Sequence, residues 1–68
     1  MDTYQLKGDY IQLNQLLKAL GWCENGAQAN ESIEEGLVMV NGVIEHRKRN
    51  KLIVGSIVEY NNLKVTIV

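Results

Sequence analysis

Four cationic side chains crowd into six residues in the second half of the chain. Residues 46–51 hold four of the seven Lys and Arg residues and no acid, so their formal charge is +4. The other residues include three basic and eight acidic ones, a charge of −5 that leaves the whole chain at −1. Concentrated positive charge attracts phosphate groups. This basic segment (residues 46–51) is therefore the first candidate for an anion site.

A second device for holding phosphate lies earlier in the chain, where a helix is predicted to begin. Asn25 can cap that helix, and Gln28, three residues later, can reach back towards it. The free N–H groups of such a helix start could also bind a phosphate, and Gly26 would let a backbone come close. Asn25 and Gln28 are structural caps first and candidate ligands second.

Residue types for other chemistry are present, but not in useful patterns. His46 and Cys23 lie in separate segments with no third group to orient them, so a nucleophile and base pair is not expected. One histidine and one cysteine show no metal-ligand spacing, and there is no glycine-rich nucleotide loop. The sequence predicts no enzyme activity, no metal and no cofactor.

Length and composition indicate a single small domain over residues 1–68. The apolar share of 46% is ordinary for a globular domain, and one cysteine allows no internal disulfide. We find no basic targeting segment and no apolar run long enough for a membrane span. The sequence therefore predicts a cytoplasmic monomer without membrane contact.

The hydrophobic pattern predicts an α+β fold, with two short helices packed on a small, mostly antiparallel sheet of four to five strands. Leu13, Leu16, Leu17 and Leu20 form one helical face that ends at Gly21, and a second helix with a stripe of Ala29, Ile33 and Leu37 ends at Gly36. Strands are predicted at 3–6, 52–55, 57–60 and 63–68. A hairpin is predicted over 38–43, with Asn41-Gly42 as its type I′ turn. The start of the first helix stays open between a cap at Asp9 and a short strand at 10–11.

The few aromatic residues are predicted to be structural. Trp22 could stack on a base, but it is better explained as a core or rim residue that clamps the turn between the helices. Tyr4, Tyr10 and Tyr60 are interspersed with apolar positions and are expected at the edge of the core. Paired aromatics of the kind used by sheet-based RNA readers are not evident.

Five pieces of this chain, in order, resemble the alpha-L RNA-binding domain family, which includes a domain of small-subunit ribosomal protein four. They are residues 13–21, 25–29, 33–36 and 38–42, and a Leu-x-x-Gly-x-Ile-Val run at 52–58, so the motif core covers 13–60. The chain looks most like the small stand-alone bacterial members, which carry Glu-x-Arg-x-Arg-x-Lys-Leu after the hairpin. Here that segment begins at Glu45.

The resemblance implies binding of structured RNA, with ribosomal and transfer RNA as the candidates, in translation or ribosome assembly. The RNA-binding residues it implies are Arg47, Lys48, Arg49 and Lys51, with Asn25, Gln28 and Lys18 in support. Many relatives have cations where this chain has Gly26 and Asn30, so more of the binding is expected to fall on the basic segment. If all four cations engage phosphates, the slope of log affinity against log salt should be roughly −3 to −4.

Two other functions compete with RNA binding. A ubiquitin-like sulfur carrier also uses short strands and a Val-Asn-Gly turn, but it needs a flexible Gly-Gly tail, and residues 65–68 are apolar and strand-like. A protein-interaction module could instead dock a basic partner on seven of the eight acidic residues, which are Asp2, Asp9, Glu24, Glu31, Glu34, Glu35 and Glu59.

Overall fold

The computed structural model describes residues 2–68 and confirms the α+β class. Its elements in chain order are β1 (Asp2–Tyr4), β2 (Ile11–Gln12), α1 (Leu13–Ala19), α2 (Gly26–Glu34), β3 (Val38–Val40), β4 (Val43–Ile44), β5 (Lys51–Leu52), β6 (Ile57–Tyr60) and β7 (Leu63–Ile67). Two short helices therefore stand between an N-terminal strand and a series of short strands. The predicted strand at 3–6 is shifted towards the N-terminus.

Five of the seven strands form one sheet, in the order β1-β7-β6-β3-β4. Neighbouring strands are antiparallel except β1 and β7, which pair in parallel with Tyr4 opposite Ile67. The remaining two strands, β2 and β5, form a separate antiparallel ladder in which Gln12 faces Lys51. The predicted sheet of four to five mostly antiparallel strands is confirmed, and the separate ladder is an addition to it.

The core lies between the helices and one face of the large sheet. Its members have little or no exposed surface, and they are Leu13, Leu16, Leu17, Cys23, Ala29, Ile33, Val38, Leu52, Val58, Val65 and Ile67. Full burial of one such Leu, Ile or Val side chain stabilises the fold by about 1.5–3 kcal/mol. The predicted stripe of α2 is wrong at its last position, since Leu37 is exposed. Gly36 adopts a φ of +78° and turns the chain before Leu37 is reached.

The hairpin turn at Asn41-Gly42 is confirmed, with φ of 53° and 84° at its two residues. These left-handed angles suit a type I′ turn, which matches the twist of the two strands it joins. The Asn41 side chain also accepts a hydrogen bond from the backbone amide of Ile57, at 2.9 Å. The hairpin is thereby tied to β6, which holds the following basic segment at a defined side of the domain.

The start of α1 is capped by backbone from the distant basic segment. The structure settles the open alternative in favour of a short strand, since Ile11–Gln12 is β2 and Gln12 provides no side-chain cap. The amide of Leu13 donates to the carbonyl of Asn50 at 2.9 Å, and that of Asn14 donates to the carbonyl of Lys48 at 3.0 Å. Two of the N–H groups that a helix start leaves free are thus satisfied.

Candidate nucleic-acid interface

The basic segment forms a turn against α1. The amide of Asn50 donates to the carbonyl of Arg47 at 3.1 Å, which closes a short turn between β4 and β5. Six fully extended residues would span roughly 20 Å, and the turn makes the segment shorter than that. Amides at the start of α1 donate to the carbonyls of Lys48 and Asn50, so the backbone bends there. The cationic side chains therefore leave the turn in different directions.

Arg47 is held by the carboxylate of Glu45. Its Nε lies 3.0 Å from Oε2 of Glu45 and its Nη2 lies 3.1 Å from Oε1, while the backbone amide of Arg47 donates to Oε2 at 2.9 Å. The side-chain and backbone hydrogen bonds from Arg47 lower the pKa of Glu45, and the carboxylate in turn raises the pKa of Arg47. The Arg47 side chain remains largely exposed. Its orientation is fixed while Nη1 stays available for an anion.

Lys48 is turned towards α2. Its Nζ lies 3.6 Å from Oε2 of Glu34, in the last turn of that helix, and both side chains are about half exposed. His46, two residues earlier, lies against Gly36, so close that a Cβ on this glycine would be 3.2 Å from Cε1 of the imidazole. The structure therefore separates Lys48 from the other three cations of the segment.

Arg47, Arg49 and Lys51 share a shallow groove of about 380 Å³, which Asn50 also lines. Within residues 2–68, the Arg49 side chain makes no hydrogen bond or ion pair. Three positively charged groups around one open concavity form a site for an anion with several charges, such as successive phosphates. Three of the four cations, at positions 47, 49 and 51, therefore lie on the groove. The fourth, at position 48, points away from it.

Lys51 also contacts an aromatic ring. Its Nζ lies 4.9 Å from the centroid of the Tyr10 ring, a cation–π arrangement. The expectation that Tyr10 sits at the core edge is wrong, because its residue surface is 45% exposed and it does not pack against the core. Tyr10 precedes β2, and the pairing of Gln12 with Lys51 brings it to the groove.

The start of α2 has the predicted capping arrangement. Oδ1 of Asn25 accepts from the amide of Gln28 at 2.8 Å, and Oε1 of Gln28 accepts from the amide of Glu24 at 2.6 Å. The Lys18 ammonium lies near this helix start, 4.0 Å from the position of a Cβ on Gly26. Asn25, Gln28 and Lys18 are therefore brought together, as one group.

This group and the basic segment lie at opposite ends of α2. The segment reaches the helix through Glu34, at its last residue, whereas Asn25 caps its first turn. Nine helical residues with a rise of 1.5 Å separate the two ends by about 12 Å. The sequence-predicted site residues therefore form two patches instead of one.

An amide pair joins α1 and α2 between these patches. Nδ2 of Asn14 donates to Oδ1 of Asn30 at 3.0 Å. Oδ1 of Asn14 is buried and has no hydrogen-bond partner among the described residues. Asn30, at a position where many relatives carry a cation, is thus engaged with α1 and contributes no charge to either patch.

Three functional residues were missed at sequence level: Glu34, Glu45 and Tyr10. Glu34 was assigned to the acidic surface and Glu45 was given no role of its own, whereas each carboxylate pairs with a cation of the basic segment. A signal for Glu45 existed, because it lies two residues before Arg47, and side chains at that spacing share a face of an extended chain. No local sequence pattern predicts that Glu34 pairs with Lys48 or that Tyr10 contacts Lys51.

Other kinds of site are not evident in the described part of the chain. Over residues 2–68, no three His, Cys, Asp or Glu side chains are grouped so that they could hold a metal ion. None of the helices in this range has the length and apolar character needed to cross a membrane. Cys23 is buried in the core as a free thiol.

Comparison with known proteins points to one family. The model of the S4 domain family matches residues 4–68. The chain is 44% identical over 69 residues to the Escherichia coli (strain K12) protein named "Putative RNA-binding protein YbcJ", covering 100% of this chain and 99% of that protein. A Shigella flexneri protein named "Uncharacterized protein YbcJ" matches equally well.

A solved structure has the same architecture. The solution structure of YbcJ from E. coli superposes with a TM-score of 0.76 at 43% identity, over 100% of this chain and 87% of that one, and is described as revealing an alpha-L motif involved in RNA binding. The fold and the sequence thus point to the same family. The chain belongs to the S4 domain family and carries its alpha-L RNA-binding motif.

Proposed function

We propose that this protein binds structured RNA, mainly through its phosphate backbone, with Arg47, Arg49 and Lys51 as the principal contacts. The observation that carries this proposal is the groove that these three side chains line on a chain of net negative charge. A protein with an evenly spread charge of this sign would repel RNA. Collecting its cations on one groove gives it a local surface that attracts phosphate.

The remaining site residues have supporting roles. Lys48, paired with Glu34, adds positive charge beside the groove. Lys18 and the capped start of α2 with Asn25 and Gln28 form a second contact at the other end of α2, about 12 Å along that helix from Glu34. Two separated contacts favour an RNA of defined shape, because only such an RNA can reach both contacts at the same time. Specificity by shape is common in RNA recognition, since A-form grooves expose few base edges to side chains.

The names of the relatives support RNA as the ligand. We place the protein in translation or ribosome assembly, with ribosomal or transfer RNA as the natural partner, acting as a single-domain cytoplasmic monomer without catalysis. We assign no protein partner to the acidic surface, of which Glu34 is engaged with Lys48 of the basic segment.

The proposal is tested by charge reversal in the groove. The double variant Arg47→Glu and Arg49→Glu should bind a hairpin RNA at least tenfold more weakly at moderate salt, measured by fluorescence anisotropy. The matched control is Lys7→Glu with Lys64→Glu, which changes the net charge equally at two exposed sites outside the groove. The control should retain most of the affinity. If both double variants lose affinity equally, the groove is not the binding site.

A further inference from the structure

One of the four aromatic side chains has no role in the core. Tyr4, Trp22 and Tyr60 pack against it, and the rings of Trp22 and Tyr60 stack with centroids 6.3 Å apart and planes inclined by 27°. Tyr10 is separate from this packing and almost half exposed. In a domain with few large apolar side chains, a tyrosine outside the core is available for another purpose.

The β2–β5 ladder brings Tyr10 beside Lys51, a residue that lines the groove. Lys51, opposite Gln12 in that ladder, lines the groove and places its ammonium over the Tyr10 ring, 4.9 Å from the centroid. This contact holds the ring next to the cations that we assign to phosphates. A nucleotide whose phosphate lies in the groove therefore has an aromatic ring within reach of its base.

The chemistry of the ring restricts the kind of RNA it could contact. Aromatic side chains stack on bases without regard to base identity, which strengthens binding roughly fivefold or more per base. Bases inside a duplex already stack on their neighbours, so a ring can receive only a base that is unpaired, in a bulge, a loop or a strand end.

We propose that Tyr10 stacks on one unpaired base of the RNA whose backbone occupies the groove of Arg47, Arg49 and Lys51. This inference rests on the proposed function and narrows its ligand to RNA that has an unpaired nucleotide beside a structured element. The Tyr10 ring selects for the unpaired base, while the three cations bind any nearby phosphate backbone.

The test compares two hairpin RNAs with the same stem and loop, of which one has an extra unpaired nucleotide in the stem. The wild-type protein should bind the RNA with the unpaired nucleotide about fivefold more tightly or better. Tyr10→Phe should keep this preference, because the ring is retained. Tyr10→Leu should abolish this preference, since a leucine keeps apolar bulk without an aromatic face.

A direct readout is 2-aminopurine at the unpaired position, whose fluorescence should be quenched by the wild-type protein and by Tyr10→Phe but not by Tyr10→Leu. Leu63→Ala, an exposed apolar residue outside the groove, should quench as the wild type does. Fluorescence of Trp22, the only tryptophan, verifies that each variant is folded.

The outcomes separate this inference from the function it rests on. If Tyr10→Leu lowers the affinity for both RNAs equally, the preference for the unpaired nucleotide is retained and stacking is refuted. If charge reversal of Arg47 and Arg49 still weakens binding to both RNAs, the proposed phosphate contacts in the groove stand. A wild-type protein without preference for the unpaired nucleotide would also overturn the inference. If charge reversal leaves both affinities unchanged, the groove itself is not the RNA site and both proposals fail.

Discussion

The carbonyl oxygen of Lys48 accepts a hydrogen bond from the backbone amide of Asn14, over 3.0 Å. This bond, together with the one from Leu13 to Asn50, makes the basic segment a cap of α1. The anchors are backbone atoms, so the start of α1 does not depend on the cationic side chains of the segment. Those side chains can be changed for binding without loss of the helix start.

Lys48 and Arg49 are adjacent in sequence but should differ in their contribution to RNA affinity. Arg49→Gln should lower it roughly threefold to tenfold, because an unpartnered groove cation is removed. Lys48→Gln should lower the logarithm of the RNA affinity less than half as much as Arg49→Gln does, since the Lys48 ammonium is directed towards Glu34. With three groove cations, the wild-type salt slope should be roughly −2 to −3. Affinity measured over a salt series tests both expectations.

Both variants should unfold in urea within about 0.5 kcal/mol of the wild type, as expected for surface changes that leave the backbone anchors intact. Equal losses of RNA affinity in Lys48→Gln and Arg49→Gln would show instead that Lys48 leaves Glu34 when RNA binds.

The pair of Glu45 and Arg47 should make stability depend on pH. Hydrogen bonds from Arg47 lower the pKa of Glu45 in the folded protein. A lowered folded-state pKa gives a stabilisation that is present above the unfolded-state pKa and is lost as pH falls through the folded-state value. Glu45→Gln should therefore be less stable than the wild type at about pH 7, and the difference should shrink at acid pH, as the pH falls through the folded-state pKa of Glu45.

Urea unfolding followed by Trp22 fluorescence at neutral and at acid pH measures this difference. Arg47→Gln removes the other partner and should show the same loss of pH dependence, with no further change when the two substitutions are combined. A Glu45→Gln variant that keeps the full acid-dependent loss of the wild type would contradict the assignment.

Asn25 allows its capping role and its proposed ligand role to be separated. Asn25→Ala should destabilise the protein by about 1 kcal/mol, because the hydrogen bond from the Gln28 amide is lost. Asn25→Asp should retain the cap, since aspartate accepts the same bond, but it places a negative charge beside Lys18 and the helix start.

If RNA phosphate approaches this end of α2, Asn25→Asp should have near wild-type stability and weaker RNA binding. Urea unfolding and fluorescence anisotropy provide the two measurements. Unchanged affinity in a folded Asn25→Asp variant would restrict the RNA contact to the basic segment.

Gly36 is required for a positive φ and for space beside His46. An Ala at this position would meet the imidazole at 3.2 Å and would hold a φ of +78°. Gly36→Ala should destabilise the domain by about 1–2 kcal/mol from the backbone conformation alone. Gly42→Ala is the matched control, because its φ is +84° and no atom lies within 4 Å of the added Cβ.

The contact with His46 should make Gly36→Ala the more costly of the two in urea unfolding. It should also weaken RNA binding, since His46 directly precedes Arg47. Equal effects of both glycine variants on stability would show that the imidazole moves aside without cost.

The helices and the main hairpins follow from local sequence patterns. The leucine spacing of α1 and the Asn41-Gly42 pair are explained by single-segment physics, in which one face is buried or one turn needs positive φ. The ladder of β2 and β5 could not be predicted in this way. Each strand has only two residues, and their pairing depends on how the chain between them is folded.

The candidate site was predicted in its composition more than in its geometry. All four cations of the basic segment were identified from charge alone, and Asn25 with Gln28 from capping rules. Local patterns did not show that Lys48 faces Glu34, nor that Tyr10 accompanies Lys51. These pairs are separated by 14 and 41 positions in the chain, and only packing determines which distant side chains meet.

The sequence by itself determined the fold class, the membership suggested by its motif and the local concentration of positive charge. These depend on the order of residue types along short stretches, where spacing fixes which side chains share a face. Only the tertiary structure decided that the basic segment is bent instead of extended. The free amides of α1 draw in its carbonyls, and this bend directs Arg47, Arg49 and Lys51 into one groove and Lys48 away from it.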